Sequence, residues 1–216
     1  MRRILPLVWL SILCGPSIFA QAGQHPRIAR TKEKSAIHVP PKESSAALTV
    51  IYTNLKSKTD LYNDTEGDVV SGPNTIDGTE FLGMPFTPKL NSHVSEVQVA
   101  VQYSAGANQV NLSIYSDAGG APGLLLAGPV TVKGLPTFGT CCAVAVANFS
   151  PVAVIAGTKY WVTAETPLTG TGSDFVGVWD WVATPIFLQA RDKGAGWVPF
   201  DGSPAESAGK VLGTVP

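Results

Sequence analysis

The feature that most restricts how this chain folds is a two-residue alternation, cut into short lengths by glycine and proline. Val97, Val99, Val101 and Tyr103 alternate with Glu96, Gln98, Ala100 and Gln102. A period of two puts one set on each face of a half-buried strand. Val110, Leu112 and Ile114 alternate in the same way with Asn111, Ser113 and Tyr115. The small residues at 105–108 predict a turn that makes these two strands antiparallel partners. Further strands are expected at about 48–52, 124–132, 141–149, 152–155, 158–165, 175–182, 186–191 and 195–200. The chain holds 22 Gly and 17 Pro, too many breakers for long helices. No stretch beyond residue 22 sustains apolar spacing at i, i+3, i+4 and i+7. Many short strands with frequent turns predict an all-β fold, an antiparallel, jelly-roll-like β-sandwich, with no internal repeat.

The N-terminus points to export. Met1-Arg2-Arg3 is followed by an apolar run from Ile4 to Leu13, then small residues up to Ala22. Charge, apolar run and small residues in that order form a secretory signal peptide. The run is too short for a bilayer, which needs about 20 apolar residues. Ala20-Gln21-Ala22 fits the cleavage site, so residues 1–22 are the expected leader and Gly23 the expected mature start. Cys14 is taken as an ordinary leader cysteine, because Leu13 is not the small residue that precedes a lipidated one. With no second spanning stretch and no hydrophobic tail, the expected product is secreted or periplasmic, with no transmembrane segment in the mature chain.

Residues 23–47 mix Pro, charge and small polar residues. They lack the apolar content that offsets chain ordering, so a disordered linker is expected there, with the β-sandwich domain over 48–216. The arm from 23 to 48 carries five Lys/Arg against two Glu. Residues 49–216 carry eight Lys/Arg against fourteen Asp/Glu. An acidic domain is a poor partner for phosphate backbones, so no nucleic acid is expected.

Several groups of residues form a known pattern. They are Ile51-Tyr-Thr-Asn54 with Asp60-Leu-Tyr62, Phe86-Thr87, and Ser113-Ile-Tyr115 running into Asp117-Ala-Gly-Gly-Ala-Pro-Gly123. Ala156-Gly157-Thr158-Lys-Tyr160-Trp161 and the late tryptophans complete it. Together they resemble the choice-of-anchor R type of bacterial extracellular β-sandwich domain, over about residues 49–213. The resemblance implies a secreted or surface module and brings no agreed activity or catalytic residues. It also implies a bacterial source, so the sequons at Asn63, Asn111 and Asn148 are read as chance.

Candidate chemistry is sparse. Cys141 and Cys142 are the only cysteines beyond the leader, and exported proteins meet an oxidising compartment. Ordinary disulfides join Cα atoms about 4.4–6.8 Å apart, and adjacent Cα atoms sit near 3.8 Å across a trans peptide. A vicinal disulfide, two buried thiols and intermolecular bridging all stay open. Cys-Cys lacks the C-x-x-C spacing of zinc and redox motifs. No H-E-x-x-H, G-x-S-x-G or P-loop motif occurs. Of the three histidines, His25 and His38 lie in the arm and His93 is placed in a turn before a strand. No catalytic residue, metal or cofactor is therefore assigned.

Trp161, Trp179, Trp181 and Trp197, with Tyr160, are candidates for a sugar-stacking platform, with Asp174, Asp180 or Asp192 accepting hydroxyl hydrogen bonds. Large aromatics also fill sandwich cores. The segment from Asn63 to Asp68 gathers oxygen ligands of the kind calcium favours, but it lacks the EF-hand pattern and is read as an acidic turn. The expected function is a non-enzymatic module that binds a glycan or cell-surface component. Two alternatives are a structural envelope or matrix component, which predicts that all four late tryptophans are buried, and a hydrolase, which would need two close carboxylates or a cleft around His93.

Overall fold

The computed structural model describes residues 27–29, 48–56, 61–167, 174–184, 189–200 and 205–216. The expected leader, Cys14, His25, His38 and most of the arm lie outside them. The described residues contain strands and no helix. In chain order the strands are β1 (Arg27–Ala29), β2 (Thr49–Thr53), β3 (Asn63–Ser71), β4 (Phe81–Phe86), β5 (Ser92–Val99), β6 (Val101–Ala105), β7 (Gln109–Asp117) and β8 (Pro122–Lys133). They continue with β9 (Ala145–Val154), β10 (Tyr160–Glu165), β11 (Val176–Ala183), β12 (Gln189–Asp192), β13 (Trp197–Phe200), β14 (Ala205–Ser207) and β15 (Gly209–Thr214).

One sheet has the order β13-β12-β4-β10-β7-β8. Two others, β2-β15-β5-β9 and β1-β3-β11-β14 with β6 also on β11, share the opposing side. Every strand pair is antiparallel. The core lies where alternation puts it. Leu82, Met84 and Phe86, Val110, Leu112 and Ile114, and Tyr160, Val162 and Ala164 come from the six-stranded sheet. They meet Val97, Val99, Val101, Trp179 and Val211 from the other side. This is the expected all-β sandwich of packed antiparallel sheets.

Three local expectations differ from the fold. The strands either side of residues 105–108 do not pair with each other: β6 pairs with β11, and β7 with β10 and β8. The turn is an arch between layers, because Val99 and Val101 face Val110 and Leu112 across the core rather than beside them in one sheet. The segment 63–68 is strand β3 rather than an acidic turn. There Asp68 is buried and accepts a hydrogen bond from the Trp181 indole at 3.0 Å. The arm expected as a disordered linker contributes β1, which pairs with β3 through Arg27↔Asp68 and Ala29↔Glu66.

The two smaller sheets are joined at one point. Single residues, Ala100 and Ala208, separate β5 from β6 and β14 from β15. At this break β11 enters between the two chains. The Ala100 N–H donates to the Ala208 carbonyl (3.0 Å), the Ala208 N–H to Asp180 (2.9 Å), and the Asp180 N–H back to Ala100 (2.9 Å). Three backbone groups thus close a ring, and no amide at the branch goes unpaired.

A second, smaller core covers the outer face of this junction. Tyr62, Ala100, Cys142, Val182 and Ala208 form it, with Leu55, Leu61, Cys141 and Val144 around them. Its lid is the loop carrying Cys141 and Cys142, which Gln102 holds down. The Gln102 side-chain oxygen accepts from the Gly139 N–H (2.7 Å) and the Thr140 N–H (3.3 Å). Its amide donates to the Thr140 carbonyl (3.0 Å) and the Tyr62 hydroxyl (3.2 Å), and that hydroxyl donates to the Ala143 carbonyl (2.6 Å). Gln102→Leu strands these groups, and each buried orphan costs about 1–3 kcal/mol. A loss of about 2 kcal/mol is expected in urea unfolding, with faster amide exchange over 139–144. A variant with the wild-type midpoint would show that water replaces the clamp.

Candidate functional site

The site is built on the outer face of the six-stranded sheet. On β10, Tyr160, Val162 and Ala164 point into the core, so Trp161, Thr163 and Glu165 point outward. Register places Thr163 beside Gly83 and Ser113, Glu165 beside Asn111, and Asp192 between Phe81 and Trp197.

Trp161 faces outward yet is fully buried. It packs with Ala121 and Ala190, and Tyr115 and Trp197 lie against the same cluster. Its indole N–H donates to Asp117 Oδ1 (2.8 Å), and Asp117 also accepts from the Gly120 N–H (3.3 Å). The turn from β7 to β8 is thereby folded over the ring. Gly83 makes room beneath, since a Cβ there would meet the Trp161 ring at 3.2 Å and Pro122 at 3.3 Å. Trp161 is the floor on which the exposed groups stand.

Above that floor, Tyr115 and Trp197 are partly exposed, with ring centroids 6.3 Å apart and a 58° tilt. The Tyr115 hydroxyl donates to Glu165 Oε1 at 3.3 Å, and Thr163 donates to the same oxygen at 2.6 Å. Burial raises the Glu165 carboxyl above its ordinary range; the two hydrogen bonds oppose that, and the charge of Asp192 adds to it. Burial, followed by Glu165 and Asp192, pushes the Tyr115 phenol up to about 12. Asp192 is oriented by its own hairpin turn, where Oδ1 accepts from the N–H groups of Gly194 (2.6 Å) and Gly196 (2.9 Å). Both glycines have positive φ, +87° and +101°, which L side chains resist. The face therefore offers two tilted aromatic rings, a half-buried hydrogen-bonded carboxyl and an oriented carboxylate.

Of the aromatic residues expected to form a platform, Trp197 reaches the surface. Trp161, Trp179, Trp181 and Tyr160 are buried, and so are Asp174 and Asp180. Trp179 lies in the main core and donates to the Ala208 carbonyl. Asp174 Oδ2 accepts from the Asn74 N–H (3.0 Å). Tyr115 and Glu165 are the functional candidates that the sequence reading passed over. Their signal was present, because both sit at the polar positions of alternating strands and continue the outward sets Ser113-Tyr115 and Trp161-Thr163-Glu165.

Cys141 and Cys142 are joined as a vicinal disulfide in the lid of the small core. His93 lies on β5, exposed. Among the described residues, no three His, Cys, Asp or Glu side chains gather closely enough to hold a metal ion. The sequence matches no model of a known protein family, and no curated protein matches it.

Proposed function

We propose that this chain is an exported, non-enzymatic β-sandwich module that binds carbohydrate on the outer face of its six-stranded sheet. The observation that carries this is the partly exposed Tyr115–Trp197 pair, flanked by Glu165 and Asp192. Aromatic faces take the C–H-rich faces of sugar rings, while carboxylates accept hydroxyl hydrogen bonds. The site is prepared beforehand. Trp161 supports the rings and the Asp192 turn fixes its carboxylate, so little order is lost on binding. The choice-of-anchor R resemblance is consistent with such a module and adds no ligand.

Screening the purified chain on glycan arrays and by affinity electrophoresis in polysaccharide gels tests the proposal. Trp197→Ala is expected to weaken binding by about tenfold or more, as truncating a central aromatic anchor does. Uniformly blank screens across plant, microbial and animal glycans would sink the binding claim.

One observation favours a second function. Glu165, bonded to Tyr115, and Asp192, paired in register with Trp197, flank the same two rings, and glycoside hydrolysis uses two carboxylates that flank the sugar. In that case Glu165 protonates the leaving oxygen, and Glu165→Gln abolishes release of reducing ends while weakening binding less than Trp197→Ala does.

A further inference from the structure

We propose that a cleft at the opposite end of β10 is a second ligand site, for a small cyclic hydroxy-carboxylate with the chemistry of a hexuronic acid. The cleft is lined by Tyr52, Pro85, Phe86, Thr87, Lys159, Thr184 and Glu206, and has a volume of about 220 Å³. Residues from β2, β4, β14 and the turn before β10 converge there, so several separate segments build it.

Its apolar wall is the half-buried Tyr52 ring with Pro85, backed by the buried Phe86. Phe86 stacks on Tyr160 with centroids 5.6 Å apart, and Tyr52 lies 6.2 Å from Phe86 at a 46° tilt. Its polar groups are placed apart. The Tyr52 hydroxyl donates to Glu206 Oε1 at 2.7 Å. Asn54 donates to the Ser207 carbonyl and accepts from the Gly209 N–H, and its side chain also reaches Glu206. Burial raises the Glu206 carboxyl, and the contacts with Tyr52 and Asn54 oppose that shift. Lys159 is half-buried at the rim and has no ion-pair partner among the described residues.

An unpaired ammonium beside the Tyr52 wall calls for an anion with an apolar face. The volume is below the roughly 300–1,000 Å³ of pockets for drug-sized ligands, so it suits one ring. Glu206 selects further. A carboxylate must lie toward Lys159 and away from Glu206, and a hydroxyl must lie toward Glu206, which accepts from it. A ring with a carboxylate on one side and hydroxyls on the other meets both demands. The site shares no residue with the Tyr115–Trp197 face and does not depend on it.

Titration of the full chain with sodium glucuronate, methyl glucoside and phenylacetate, followed by calorimetry or NMR, tests the proposal. Glucuronate is expected to bind at least about tenfold more tightly than the neutral glucoside. Lys159→Met should erase that preference, Lys159→Arg should keep it, and Trp197→Ala should leave it unchanged. No glucuronate binding up to about 10 mM, equal binding by Lys159→Met, or preference for phenylacetate would each overturn the assignment. Loss of binding in Trp197→Ala would move the acid to the other face.

Discussion

Trp179→Ala is expected to cost about 4 kcal/mol, within the roughly 3–5 kcal/mol range for emptying a buried tryptophan site. The indole is fully buried in the main core and sits one residue from the branch point of the smaller sheets. Its N–H donates to the Ala208 carbonyl at 2.9 Å, and that carbonyl also receives the Ala100 amide. The substitution therefore opens a cavity and removes a hydrogen bond from the ring that joins β6, β11 and β14. Against a total stability of about 5–15 kcal/mol, such a loss removes between roughly a quarter and four-fifths of it. Trp179→Phe keeps most of the volume and loses the N–H, so about 1–2 kcal/mol is expected. Urea unfolding followed by circular dichroism measures both. An alanine variant within about 1 kcal/mol of wild type would mean that the core closes over the gap.

How far the sequence announces this architecture depends on the kind of contact. Period-two alternation is local, and it correctly placed Val97, Val99, Val110, Leu112 and Ile114 toward a core. Strand pairing is not local. Nothing near residues 105–108 says whether the chain turns back within a sheet or crosses between sheets, and the hairpin expectation failed there. The segment 63–68 looked like a loop because its polar residues have no visible partners nearby. Asp68 finds one in Trp181, 113 positions away. The tryptophans show the same limit. Alternation places Trp161 on an outer face, but only the tertiary fold brings Ala121, Ala190 and Trp197 over it. Tyr115 and Trp197 were hidden as a pair because they come from β7 and β13, which are not neighbours in the sheet.

Replacing Asp180 with Asn is expected to stabilise the chain at neutral and alkaline pH and to flatten its pH dependence. Asp180 is fully buried in the centre of β11, and neither carboxylate oxygen has a hydrogen-bond partner. It is on the opposite face of the strand from Trp179, toward Tyr62 and the lid that carries the Cys141–Cys142 disulfide. Burial raises its pKa well above the ordinary carboxylate value, and the charge of Asp64 raises it further. The sign follows from linkage. The folded chain holds this proton to higher pH than the unfolded chain, whose Asp titrates near 3.9. Through that window the native state binds more protons, so its stability falls as pH rises. Glu165 and Glu206 are also raised, so wild type alone mixes several sources. The difference between wild type and Asp180→Asn isolates one, because an amide has no proton to lose. Near pH 4 the two proteins should unfold at similar temperatures. By pH 8 the variant should be ahead by about 2 kcal/mol or more, the scale of an unsatisfied buried charged group. A gap that stays constant from pH 4 to pH 9 would mean that Asp180 does not titrate in this window.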